Sequence, residues 1–153
     1  ESLSKKISFK NVIIIGMGGS GNAIYNYINK KFKKNFIIIS SKKKNYGKNT
    51  KVFKAFKYAE ISQKKKYLII NCTPLGSNLS RKFINKTPID NLTLSKISKK
   101  SFIFDLVYKP NRTKLFYQCK NFKIMYKNGL EMNTFQGEKA LNIISKLTNF
   151  NLS

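Results

Sequence analysis

The segment that most constrains this chain is the junction at residues 11–21, where Asn11-Val12-Ile13-Ile14-Ile15 runs directly into Gly16-Met17-Gly18-Gly19-Ser20-Gly21. The β-branched run is the pattern of a short strand buried on both faces. The glycine-rich run after it contains G-x-G-x-x-G. In that spacing the first glycine permits a tight turn, the second lets backbone approach a pyrophosphate, and the third lets the next helix pack close to the strand. Ser20 is placed to cap a helix. Ala23, Ile24, Tyr27, Ile28 and Phe32 would then share its apolar face. A strand before the glycines and an amphipathic helix after them is the context a dinucleotide loop requires, since the helix N-terminus turns amide N–H groups toward phosphate. The competing reading is a plain tight turn.

The rest of the chain extends the pattern. Apolar runs predict further strands at residues 36–39, 51–56, 67–71, 101–107 and 122–125, the second of them weak. Residues 40–50 are almost wholly polar and read as a loop. A helix is predicted over 131–147, with Phe135, Leu141, Ile143 and Ile144 as its apolar positions. Short strands alternating with helical or loop segments predict an α/β fold, a Rossmann-like, mostly parallel sheet of about six strands flanked by helices. Residues 1–129 would form the nucleotide-binding domain, and 130–153 a C-terminal helix that packs on something outside this chain.

Composition excludes several classes of function. There is no histidine, which removes His-based zinc sites and Ser-His triads. Cys72 and Cys119 form neither a disulfide framework nor a metal spacing, so no metal site is expected. No apolar run approaches the ~18 residues of a membrane span. The net charge of +25 raises nucleic acid as a partner. Yet 29 of the 31 basic residues are lysine, spread along the whole chain, whereas phosphate and base readers favour arginine. Lys, Asn and Ile dominate the sequence and all have A/T-rich codons, so an A/T-rich genome accounts for most of the charge. A soluble, reducing, cytoplasmic setting is the expectation. The chain begins with Glu1, which suggests a piece of a longer or processed product.

The end of the second strand bears on cofactor choice. NAD sites usually carry an Asp or Glu there for the ribose 2′-hydroxyl. Here the residues are Ser40-Ser41-Lys42-Lys43-Lys44, with no acid. A 2′-phosphate would meet hydroxyls and positive charge, which favours NADP(H).

Four segments together resemble the cofactor-binding part of shikimate dehydrogenase. They are Gly16-Met17-Gly18-Gly19-Ser20-Gly21-Asn22-Ala23; Ile70-Asn71-Cys72-Thr73-Pro74-Leu75-Gly76; Phe104-Asp105-Leu106-Val107-Tyr108-Lys109-Pro110 with Thr113 and Leu115; and Asn128-Gly129-Leu130-Glu131-Met132 followed by Phe135-Gln136-Gly137. The first could belong to any Rossmann protein. The last two are far more specific, and all four occur in the family's order. The resemblance implies that Gly16, Gly18, Gly19 and Ser20 hold the pyrophosphate, and that Ser41 and Lys42 meet the 2′-phosphate. Thr73 and Pro74 would line the nicotinamide ribose. Gly129 and Met132 would contact the nicotinamide. Tyr108 and Gln136 would touch the substrate.

The departures are equally specific. Ser77 stands where the family has Met, and serines and lysines replace its Arg-containing phosphate motif. The stretch between the second and third strands is too short and polar for a helix. The family's catalytic Lys and Asp lie in a preceding substrate domain, so no catalytic residue is expected in this chain. Asp90 and Asp105 are its only aspartates. Asp90 reads as part of a turn, and Asp105 as structural. The implied reaction is NADP-dependent reduction of 3-dehydroshikimate to shikimate, with this chain supplying the cofactor-binding part. The partner would be a substrate domain in cis or in trans. The alternative is a freestanding or decayed nucleotide-binding module without catalysis.

Overall fold

The computed structural model describes residues 9–42 and 44–132. They form one six-stranded sheet: β1 (Asn11–Ile15), β2 (Asn35–Ile39), β3 (Thr50–Phe53), β4 (Tyr67–Asn71), β5 (Phe102–Asp105) and β6 (Met125–Asn128). The order is β3-β2-β1-β4-β5-β6, and all five strand pairs are parallel. The chain walks outward from β1 through β2 to β3, then returns across β1 to β4. The order reverses there, and in such sheets the crevice beyond the strand ends at the reversal is where ligands bind.

Strand alternation sorts the core into two layers. Val12, Ile14, Phe36, Ile38, Leu68 and Ile70 face α1 (Gly19–Lys31). Ile13, Ile15, Ile69 and Ile103 face the other way, toward Leu94 of α2 (Asn91–Ser95) and Leu115 and Cys119 of α3 (Lys114–Phe122). Burying a side chain of this size contributes about 1.5–3 kcal/mol, so the central strands carry most of the stability.

Several sequence expectations shift. The buried face of α1 is Gly21, Ile24, Tyr25 and Ile28, while Ala23 is exposed and Tyr27 half-buried. Tyr25 wins its place because its ring meets Phe36 edge-on at 4.9 Å and its hydroxyl pairs with Thr50 Oγ1 at 3.0 Å. The third strand ends at Phe53, because Phe56 opens a 3-10 turn, and the fifth is trimmed to four residues. The sixth begins at Met125, not 122. Phe122 is the last residue of α3, and Lys123 closes that helix in the left-handed region at φ +55°. Among the described residues, no helix joins β2 to β3. A short turn, Gly129–Met132, succeeds β6, and the helix expected over 131–147 falls almost entirely outside the described residues. No described helix is long and apolar enough to cross a membrane.

Helix α1 can dock on β1 only because Gly21 lacks a side chain, since a Cβ there would collide with the Gly16 carbonyl oxygen. Gly21→Ala should therefore lower the unfolding free energy by about 1–3 kcal/mol. Gly18→Ala, where a Cβ meets nothing within 4 Å, should change it by less than about 0.5 kcal/mol. Urea titration of both variants checks the contrast, and equal stabilities would contradict this packing.

Candidate functional site

At the reversal point the glycine turn is built for two different purposes. Gly16 has φ +84°, and a Cβ there would come within 2.7 Å of Thr73 Cγ2, so the fold itself requires glycine. Gly18 and Gly19 face open space. Neither packing nor positive φ requires glycine at those two positions, so the fold leaves room there for a ligand against the backbone. The cap of α1 is Gly18 rather than Ser20, and no side chain closes the helix end. Ser20 sits in the first turn. The first N–H groups of a helix have no intrahelical acceptor, so they remain available to an anion. The Asn22 amide donates to the carbonyls of Met17 and Gly18, each at 2.9 Å, which occupies the turn's acceptors from within.

Two clefts flank the loop after β4. The first, about 500 Å³, runs from Gly16 and Gly18 to the ends of β2 and β3. Ser41 and Lys42 line it, and so do Lys54 and Lys57, which the sequence did not single out. Only the parallel pairing of β3 with β2 brings these two lysines to the same edge. Among the described residues, Asp90 is the one acid on the wall. It caps α2, accepting the Thr93 N–H at 2.6 Å, at the end of the turn-like stretch in which the sequence places it.

The second cleft, about 280 Å³, gathers Ser20, Thr73, Pro74, Ser77 and Tyr108. Thr73 belongs to both clefts. The cleft's two loops are tied together by the Asn78 N–H donating to the Lys109 carbonyl at 3.0 Å. Ser77 Oγ is buried with no hydrogen-bond partner among the described residues. Burial pushes the Cys72 thiol up to about 12, so it stands at this wall as a neutral thiol and not as a nucleophile. Gly129 lies against the Leu106 carbonyl, where a Cβ would come within 2.7 Å of the oxygen. The backbone of Met132 closes the turn after it. Gln136 lies outside the described residues.

Behind the second cleft lies a polar network. Asp105, fully buried at the end of β5, accepts from Asn71 Nδ2 at 2.9 Å and the Val107 N–H at 3.1 Å through Oδ1. Its Oδ2 accepts from Tyr126 at 3.0 Å and Thr113 at 3.4 Å. Asn71 Oδ1 in turn accepts the Thr73 N–H at 3.0 Å and the Thr73 hydroxyl at 2.7 Å. Among the described residues no cluster of His, Cys, Asp or Glu could hold a metal ion.

No protein-family model matches the chain. Shikimate dehydrogenase (NADP(+)) of Clostridium botulinum strain 657 is 32% identical over 133 residues, covering 86% of this chain and 49% of that protein. The chain spans about half the length of the curated relatives it matches. Among solved structures, shikimate 5-dehydrogenase from Listeria monocytogenes, in complex with shikimate and NAD, superposes with a TM-score of 0.65 at 22% identity, over 92% of this chain and 52% of that one. A shikimate dehydrogenase in complex with NADP+ gives 0.66 at 23% identity, over 92% and 50%. These structures share the fold, and the curated relatives carry the name of the family that the four motifs resemble.

Burial raises the Asp105 pKa above the ordinary aspartate value, more than its four hydrogen bonds lower it. A carboxyl with a raised folded pKa contributes its stability fully below the unfolded value, about 3.9, and loses it as pH rises through the folded value. Asp105→Asn lacks that titration. Its deficit in melting temperature relative to the parent should therefore be largest near about pH 4 and shrink toward about pH 7. Thermal melts across that range check the sign, and a deficit that grows with pH would contradict it.

Proposed function

We propose that this chain binds NADP(H) and forms the cofactor-binding part of an oxidoreductase that reduces 3-dehydroshikimate to shikimate. The observation that carries the reading is the pair of glycines, Gly18 and Gly19, that the fold does not need, at an uncapped helix end beside a lysine-lined cleft. The relatives named shikimate dehydrogenase (NADP(+)) supply the reaction. Because the chain matches about half of each, the substrate-binding part, with the catalytic lysine and aspartate, is assigned to the relatives' other half.

In this reading the first-turn N–H groups of α1 bind the pyrophosphate. Ser41, Lys42, Lys54 and Lys57 bind the adenosine 2′-phosphate. Thr73 and Pro74 hold the nicotinamide ribose, and Tyr108 borders the ring and the substrate. The nicotinamide supplies the hydride. The chain's own contribution is to orient that ring at the second cleft and to keep water from the reacting face.

Titration of the chain with both reduced cofactors tests this. NADPH should bind more tightly than NADH, and equal affinities would overturn the cofactor assignment. The double variant Lys54→Ala/Lys57→Ala should weaken NADPH by about tenfold and NADH little. Gly18→Val should abolish binding while circular dichroism stays unchanged, because the added side chain fills ligand space and not protein space. Turnover of 3-dehydroshikimate should require the substrate-binding part. Efficient turnover by residues 1–153 alone would refute that division of labour.

A further inference from the structure

We propose that Asp105 is a positioning residue for the nicotinamide half of the cofactor, setting the Asn71 amide so that Thr73 and Pro74 stand correctly in the second cleft. The proposal rests on the NADP(H) reading above and goes beyond it, since Asp105 touches neither cleft. Its two oxygens accept from four neutral donors on four segments: Asn71 at the end of β4, the Val107 N–H after β5, Thr113 at the start of α3, and Tyr126 on β6. Two of these segments run on into the lining of the second cleft, through Cys72 and Thr73 after β4 and through Leu106 and Val107 after β5.

The directional consequence lies at Asn71. An amide can present either its oxygen or its nitrogen to a neighbour. A carboxylate accepts only, so Asp105 forces Asn71 Nδ2 toward itself and Oδ1 toward Thr73. That oxygen then takes both the Thr73 N–H and its hydroxyl. The Thr73 hydroxyl in turn accepts from the Leu75 N–H at 3.3 Å. One buried charge thus fixes the hydrogen-bond sense of a chain that runs three residues out to the cleft. Apolar residues of equal volume could stabilise a sheet at least as well as a buried carboxylate. They could not orient the amide. The adenosine side is held by other means, the Gly16 N–H to the Ile39 carbonyl at 2.9 Å and the Ser40 N–H to the Phe53 carbonyl at 2.9 Å.

The test uses two ligands on the full chain: NADP+, and 2′,5′-ADP, which carries only the adenosine half with its 2′-phosphate. Calorimetric titration of Asp105→Leu, which offers Asn71 no acceptor, should show NADP+ weakened by about tenfold or more and 2′,5′-ADP changed by less than about twofold. Asp105→Asn should keep most of the NADP+ affinity. Its amide oxygen can still accept from Asn71 Nδ2 and the Val107 N–H, while its NH2 donates to the Thr113 and Tyr126 hydroxyls. Should Asp105→Leu fail to fold, Asn71→Ser, which keeps Asp105 but is too short to bridge it to Thr73, should give the same selective loss. Parallel losses of both ligands would make Asp105 merely structural and overturn the proposal. So would unchanged NADP+ affinity in Asp105→Leu, or a loss in Asp105→Asn as large as in Asp105→Leu. A parent chain that binds neither ligand would instead sink the cofactor reading itself.

Discussion

A sheet in which every strand pair is parallel must release the chain from each strand at the same edge. That constraint governs everything else in this molecule. The turn after β1, the serine and lysine turn after β2, the lysines after β3, the Thr73–Pro74 loop and the Tyr108 loop all emerge side by side because the five registers leave them no other exit. β1 sits at the centre, paired on both sides, with Val12, Ile13 and Ile14 fully buried. Its early place in the chain and central place in the sheet create the reversal that opens the crevice.

The loops at that edge are held in two physically distinct ways. On the β1 side the restraint is steric. Gly21 lies against the Gly16 carbonyl and Gly16 against the Thr73 side chain, so close that a Cβ at either position would force a shift. On the β5 side the restraint is directional. A buried carboxylate accepts from four donors, and each donor belongs to a different segment. Close-packed backbone fixes distance, whereas a hydrogen-bond network fixes orientation. The division suits a site in which one end must sit tightly on backbone while the other presents a face.

Much of this was legible in the residues. The glycine turn could be read because each glycine answers a local geometric demand, and five of the six strands because their β-branched and aromatic runs are bounded by polar or glycine punctuation. α3 and the true start of β6 were not. Lys114–Phe122 buries only Leu115, Gln118 and Cys119, too sparse an apolar face to announce a helix beside Phe122 and Ile124. Its capping residue, Thr113, stands out in the sequence only as part of the Tyr-Lys-Pro stretch. Asp90 likewise carried a cap signal before a short apolar run. Lys54 and Lys57 could not stand out in a chain with 29 lysines. Only pairing across the sheet gives them a place. Asp105 reads from the sequence as structural, and its four donors lie from 2 to 34 residues away, so only the fold collects them.

The lysines that rim the first cleft also have a kinetic meaning. Lys42, Lys54 and Lys57 line its wall, while Asp90, the acid beside them, is turned to a helix cap. A concave wall with three lysines against one carboxylate carries a net positive field that reaches into solvent, so a polyanion would be drawn in before any contact forms. The salt concentration around the molecule then sets how fast such a ligand arrives, because the Debye length, about 8 Å in physiological salt, limits how far the field reaches. How long the ligand stays is set by the short-range contacts inside the cleft, which salt screens far less. For this edge of the sheet, capture and retention are separable quantities governed by different residues.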